Sequence, residues 1–178
     1  PPRSTLFPYT TLFRSPDDEG LWKDDRCLMG FRRLTILDPS SAANQPMVSP
    51  DLRYVLVFNG ELYNFMDLRS QLESKTQFRT RGDSEVVLQS LIAWGTDALA
   101  RFNGMYALAF YDRAEGSLLL SRDHVGMKPL YFMADASGVV FASQYNQIVN
   151  HPKAKGRSLS TEARSEERRV GKECRSRW

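Results

Sequence analysis

Asn59, Gly60, Glu61 and Asn64, all within the stretch YVLVFNGELYN, are the residue types a hydrolytic site needs. The run Tyr54-Val55-Leu56-Val57-Phe58 before them reads as a buried strand, too short and too β-branched for a helix. It is expected to end at Asn59-Gly60, a turn dipeptide that accepts unusual backbone angles. A strand that carries this pair at its tip can aim an amide NH2 and a bare backbone N–H at one spot. Two such donors are what a developing oxyanion needs, and losing one typically costs about 10²–10³ in rate. The same dipeptide is the strongest short hairpin signal, so a plain β-turn stands beside the catalytic reading. By residue type alone, Arg33 is a surface charge and Asp83 a helix N-cap.

The elements that must position these groups are mostly short strands. Cys27–Gly30 and Leu34–Leu37 read as strand pieces flanking Arg32-Arg33, and 39–50 as a Ser/Ala/Asn/Pro-rich loop. Phe65, Leu68 and Leu72 recur at helical spacing, with Asp67, Arg69 and Glu73 outward. A second helix is expected from Asp83 to Gly95. Met105–Asp112 and Ser117–Arg122 should form a hairpin across 113–116, followed by strands at Leu130–Met133 and Val139–Ala142. Residues 147–163 are polar and without period. Strands, two adjacent helices, then more strands give an α+β plan.

Both ends read as foreign to the fold. Codons for residues 164–178, written backwards on the opposite strand, return residues 1–15: Trp178 (TGG) gives Pro1 (CCA), Lys172 (AAA) gives Phe7, and Arg164 (AGA) gives Ser15. The two segments are expected to be adapter-like artefact tails and are set aside. The native insert is then 16–163, with 16–150 a partial domain and 151–163 a polar connecting segment. Eight of the 24 Lys/Arg and three of the 21 Asp/Glu fall in the tails, so 16–163 carries a net charge of −2 rather than the +3 of the whole chain. Nucleic-acid binding therefore cannot be argued from basicity. Cys27 alone survives in the insert, which excludes a disulfide framework and a CxxC motif; it reads as a small buried residue. No apolar run approaches the ~20 residues of a membrane span, so a cytoplasmic protein is expected. His124 and His151 lack ligand-spaced neighbours, and no metal site is expected. Arg81-Gly82-Asp83 spells an adhesion tripeptide, without a secretory context to support it. Arg122 and Asp123 read as an ion pair at a strand end.

Seven strings in order carry a family resemblance: PDDEG (16–20), FRRLTILD (31–38), QPM (45–47), FNGELYNF (58–65), GDSEVV (82–87), FNGMYALAFYD (102–112) and RDHVGMKPLY (122–131). Over nearly all of 16–150 they resemble the glutaminase domain of glutamine-hydrolysing asparagine synthetases, class II amidotransferases. The resemblance implies an N-terminal-nucleophile hydrolase-like four-layer sandwich, helices over two antiparallel sheets, incomplete at its N-terminus. It implies L-glutamine as substrate, with Arg33 on the α-carboxylate, Glu61 and Asp83 on the α-ammonium, and Asn59 with Gly60 on the oxyanion. It also implies that backbone at Leu34, Ile36 and Leu37 lines the same pocket. A guanidinium suits a carboxylate because it can bind bidentately.

The same resemblance marks what the chain lacks. The family attacks glutamine with a cysteine at position one, whose own α-amino group is the base. Residue 16 already lies past that cysteine, and internal Cys27 cannot replace it. An SGG(L/I)DS loop is absent after residue 150, so ATP and Mg are expected in a missing C-terminal synthetase domain of the parent, itself expected as a homodimer, with no cofactor in this chain. Phe31 stands where the family often has histidine, and Gly82 where serine is usual. The expectation is an inactive glutaminase fragment of an asparagine synthetase. The alternatives are an amidotransferase with another acceptor, such as a β-lactam or peptide amide former, and a non-catalytic ligand-binding relative.

Overall fold

The computed structural model describes residues 18–33 and 43–154. Its elements are β1 (Asp18–Lys23), β2 (Leu28–Arg33), β3 (Met47–Val48), β4 (Tyr54–Leu62), α1 (Phe65–Leu72), α2 (Asp83–Trp94), β5 (Gly104–Asp112), β6 (Ser117–Arg122), β7 (Tyr131–Asp135), β8 (Gly138–Ala142) and α3 (Tyr145–Val149). Every strand pair is antiparallel. A four-stranded sheet has the order β3-β4-β5-β6, and β1–β2 and β7–β8 form separate ribbons. This is the expected α+β plan, with the second sheet of the sandwich present among the described residues as two ribbons.

Period-2 alternation divides the four-stranded sheet into two apolar faces. Leu56, Phe58 and Leu62 of β4 join Tyr106 and Leu108 of β5 beneath α1 and α2. Helix α2 is buried along Val86, Val87, Leu88 and Leu91, which suits an element sunk into a core rather than lying on it. Val55 and Val57 point the other way, with Ala109, Tyr111 and Leu120, onto Met29 and Trp22 of one ribbon and Val139 and Phe141 of the other. Helix α3 packs on β7–β8, where Tyr145 meets Tyr131 edge-on at 5.8 Å.

The strand that ought to stop at Asn59-Gly60 does not stop. Strand β4 runs straight through the pair, in unbroken register with β5 from Tyr54↔Asp112 to Leu62↔Gly104. Gly60 does not hold the positive φ of a turn glycine. It is glycine because β5 comes too close: a Cβ there would sit 2.7 Å from both Cα and Cβ of Tyr106. Gly104 makes the reciprocal approach, with a Cβ 2.9 Å from Leu62 Cα. The hairpin alternative fails for the same reason.

Other expectations need smaller corrections. Strand β1 was not foreseen, and Arg32-Arg33 lies inside β2 rather than between strand pieces. The Leu34–Leu37 strand lies outside the described residues. Arg69 does not point outward: its guanidinium donates to Thr80 O at 2.8 Å and covers the Phe78 ring at 4.2 Å. The N-cap of α2 is Gly82, so Asp83 is the first helical residue. Helix α3 (Tyr145–Val149) runs into the stretch from 147 that reads as polar and without period. The β5–β6 hairpin matches, turning at Gly116 with φ +64°.

Candidate active site

Alternation along β4 places Asn59 and Glu61 on the ribbon-facing side, beyond Val55 and Val57. The free edge of β4 is built differently. Among the described residues, strand β3 pairs only with Val55 and Leu56, and no backbone ladder continues along this edge from there onward. Phe58 N–H donates to Gln45 Oε1 at 2.6 Å, and Gln45 Nε2 returns a bond to Phe58 O at 2.9 Å. Two pairs further on, Leu62 N–H donates to Asp83 Oδ2 at 2.9 Å. Between them stands Gly60. Its partner Tyr106 turns its N–H and C=O to Asp123, at 3.0 and 2.8 Å, so Gly60 and Tyr106 are a non-hydrogen-bonded pair. The Gly60 N–H therefore points out of the sheet edge. Asn59 stands perpendicular to the sheet and the Gly60 N–H lies in its plane, so the two donors can converge just above that edge.

Asp83 reaches the same edge from the start of α2 and is only 6% exposed. Burial raises its carboxyl above the usual value and the Glu61 charge raises it further; N–H groups of Leu62, Asp83 and Ser84 oppose this. Among the described residues, neither Asp83 nor Glu61 forms an ion pair. Two carboxylates close enough for one to raise the other, with no cation paired to either among the described residues, fit a ligand that brings one. The burial of Asp83 also removes the adhesion reading of Arg81-Gly82-Asp83, because the acid is not presented to a partner. Arg33 ends β2, and its side chain lies outside the described residues, as do Leu34, Ile36 and Leu37.

Two buried polar residues behind the site escaped the sequence reading. Glu85 is fully buried and accepts N–H bonds from Arg79 at 2.9 Å and Thr80 at 2.6 Å, plus the Thr80 hydroxyl at 2.8 Å. It fixes the loop that leads into Asp83. Gln45 lies in the QPM string. An acid and an amide embedded in apolar surroundings, each beside a segment needing backbone partners, are the signals that could have marked them. Asn64 is structural, accepting from Asn103 N–H at 3.0 Å and donating to Arg101 O at 2.9 Å.

The pair Arg122–Asp123 is not an ion pair. Asp123 gives its oxygens to the N–H groups of Tyr106, Val125, Met127 and Lys128 at 2.9–3.2 Å. Cys27 sits just before β2, half-buried, and burial with the nearby Asp24 charge pushes its thiol up to about 11 from 9.0. Such a thiol is protonated near neutrality. Its alkylation by iodoacetamide at pH 7 should run roughly tenfold slower than that of an unperturbed thiol, since the smaller thiolate fraction outweighs the greater nucleophilicity of a more basic thiolate. Mass spectrometry of the Cys27 peptide against a model thiol measures this; faster labelling would make Cys27 a candidate nucleophile. A cavity of about 390 Å³ lies at the other end of β4, between Cys27, Tyr111 and Val139, and is not lined by Asn59, Gly60, Glu61 or Asp83.

Known proteins resemble this chain over most of its length. The glutamine amidotransferase domain family matches residues 10–166. Asparagine synthetase [glutamine-hydrolyzing] 3 of Bacillus subtilis is 36% identical over 147 residues, covering 81% of this chain and 24% of that protein. Asparagine synthetase B [glutamine-hydrolyzing] of Escherichia coli is 36% identical over 137 residues, covering 76% and 24%. The chain thus spans about a quarter of the length of these curated relatives. Among solved structures, glutamine phosphoribosylpyrophosphate amidotransferase from B. subtilis, complexed with ADP and GMP, superimposes with a TM-score of 0.57 at 24% identity, over 68% of this chain and 28% of that one. That likeness carries the fold, the N-terminal-nucleophile hydrolase sandwich. Residues 18–33 and 43–154 build the sheet edge and carboxylate pair described above, and the chain belongs to the glutamine amidotransferase domain family.

Proposed function

We propose that this chain is the glutamine-binding and ammonia-releasing part of an asparagine synthetase-like enzyme. The observation that carries the reading is the open edge of β4, where the Gly60 N–H stands between the Gln45 and Asp83 anchors beside Asn59. Glu61 and Asp83 hold the α-ammonium of L-glutamine, Arg33 its α-carboxylate, and backbone at Leu34, Ile36 and Leu37 lines the pocket. Asn59 and Gly60 take the charge that collects on the side-chain carbonyl oxygen as a thiolate adds to the carbonyl carbon. Ammonia leaves from that tetrahedral carbon, and water then cleaves the thioester to glutamate. The attacking thiol is not Cys27, and this chain as written binds glutamine weakly without hydrolysing it. In the parent, a cytoplasmic and homodimeric enzyme, a synthetase domain with ATP and Mg activates aspartate to receive the ammonia.

A titration of the ¹⁵N-labelled chain with L-glutamine tests the binding half. The Gly60 amide resonance should shift, with a dissociation constant of about 1 mM or weaker, worth roughly 4 kcal/mol or less. D-Glutamine should leave it in place, Arg33→Ala should abolish the shift, and no glutamate should accumulate. A response confined to residues away from β4 and α2 would refute the site.

A further inference from the structure

Gln45 is where β3 would next pair with β4. Met47↔Leu56 and Val48↔Val55 fix the register, and two residues back along β3 the residue opposite Phe58 is Gln45. There the backbone ladder has ended, and a side-chain amide replaces it. Its oxygen accepts the Phe58 N–H at 2.6 Å, and its nitrogen donates to Phe58 O at 2.9 Å and to Ser84 Oγ at 3.4 Å. An amide suits this task, since it offers a donor and an acceptor side by side as a peptide group does. Had the backbone continued, its next pair would have covered the Gly60 N–H. A side chain satisfies Phe58 and stops there.

We infer that Gln45 is a positioning residue for the oxyanion site: it terminates the β3–β4 ladder one pair before Gly60, and so holds the Gly60 N–H both fixed and open. It also ties that strand to Ser84, the neighbour of Asp83, so the group that receives the oxyanion and the group that receives the ammonium share one anchor. This role rests on the glutaminase reading. The buried position of Gln45 and the two short bonds make the amide a fixed part of the edge rather than a mobile ligand contact.

The test uses the ¹⁵N-labelled chain with Gln45→Met and Gln45→Glu. In Gln45→Met, the Phe58 amide should exchange at least tenfold faster. The Gly60 order parameter should fall from about 0.85 to about 0.6 or below, and its L-glutamine-induced shift should vanish. Leu62, held by Asp83, and Ala109, mid-sheet, should keep their protection. Gln45→Glu should behave like Gln45→Met when ionised and should recover Phe58 protection when protonated, because a carboxylic acid again offers one donor and one acceptor. An unchanged Phe58 and Gly60 in Gln45→Met would overturn the role. So would equal loss of protection at Ala109, which would mark Gln45 as ordinary core. A wild-type Gly60 resonance that ignores L-glutamine, with the amide responses as expected, would remove the glutaminase reading while leaving the ladder-ending geometry established.

Discussion

Asp123→Ala is expected to destabilise the chain by about 3–5 kcal/mol and to release residues 123–128 as a loop. Asp123 is nearly inaccessible and holds four backbone N–H groups, which belong to Tyr106 of β5 and to Val125, Met127 and Lys128. Hydrogen bonds to a charged acceptor contribute about 1.5–3 kcal/mol each, and a buried donor left alone loses its desolvation energy as well. The total stays well below four times that figure, because three of the donors lie in a loop whose Val125 and Met127 are exposed and can turn to water. The Tyr106 N–H cannot. Urea unfolding of the wild type and of Asp123→Ala and Asp123→Asn gives the difference, with asparagine expected in between.

The pH dependence separates the charge from the shape. Burial pushes the Asp123 carboxyl up, but the N–H groups of Met127, Lys128, Tyr106 and Val125 together hold it below its ordinary value. For an acid depressed in the folded state, the stabilisation is complete above the unfolded value, about 3.9, and is lost as pH falls through the folded value. Wild type should therefore lose stability below about pH 4, and Asp123→Asn should lose less. Asp24, Asp51 and Asp112 are also depressed and contribute to the same acid limb, so the informative quantity is the difference between the two curves. Parallel curves would mean that Asp123 acts through shape alone.

What the sequence made legible depended on how local each cause was. Periodicity gave α1, α2 and the β5–β6 hairpin, because helix faces and a short turn are written within a dozen residues. Asn59-Gly60 drew attention through a turn that does not form. Its turn signal is local, whereas the glycine is required by Tyr106 on a strand that arrives after both helices. Asp83 was similarly recognised as a cap although Gly82 is the cap; its acid faces β4, a contact that helix rules cannot see. Gln45 and Glu85 were missed because a polar residue's burial is decided by distant partners. Nothing near Gln45 announces Phe58. The roles of Arg33, Leu34, Ile36 and Leu37 came from family resemblance rather than from pattern.

Asp83→Asn should abolish glutamine binding without weakening the fold. Asp83 and Asp123 are both buried acids holding backbone N–H groups, yet they are displaced in opposite directions. For Asp83, burial and the Glu61 charge outweigh the bonds from Leu62, Asp83 and Ser84, so the folded carboxyl lies above 3.8. The stability linked to its proton is fully present below the unfolded value and is lost as pH rises through the folded value. Near neutrality the ionised group therefore works against folding. Asparagine removes that charge and still offers Leu62 N–H an acceptor, so the urea midpoint at pH 7 should stay level or rise. Glutamine should respond in the other sense. Truncating one member of a buried, hydrogen-bonded charge pair costs about 2–5 kcal/mol, so the glutamine requirement of the complete enzyme should rise about 10²-fold or more while ammonia-dependent synthesis persists. In wild type, glutamine affinity should decline as pH falls through the raised Asp83 value, since only the carboxylate can hold the ammonium, and Asp83→Asn should have no such decline. A lower midpoint in Asp83→Asn would make the residue a structural acid like Asp123. Equal loss of glutamine- and ammonia-dependent synthesis would take it out of the glutamine site.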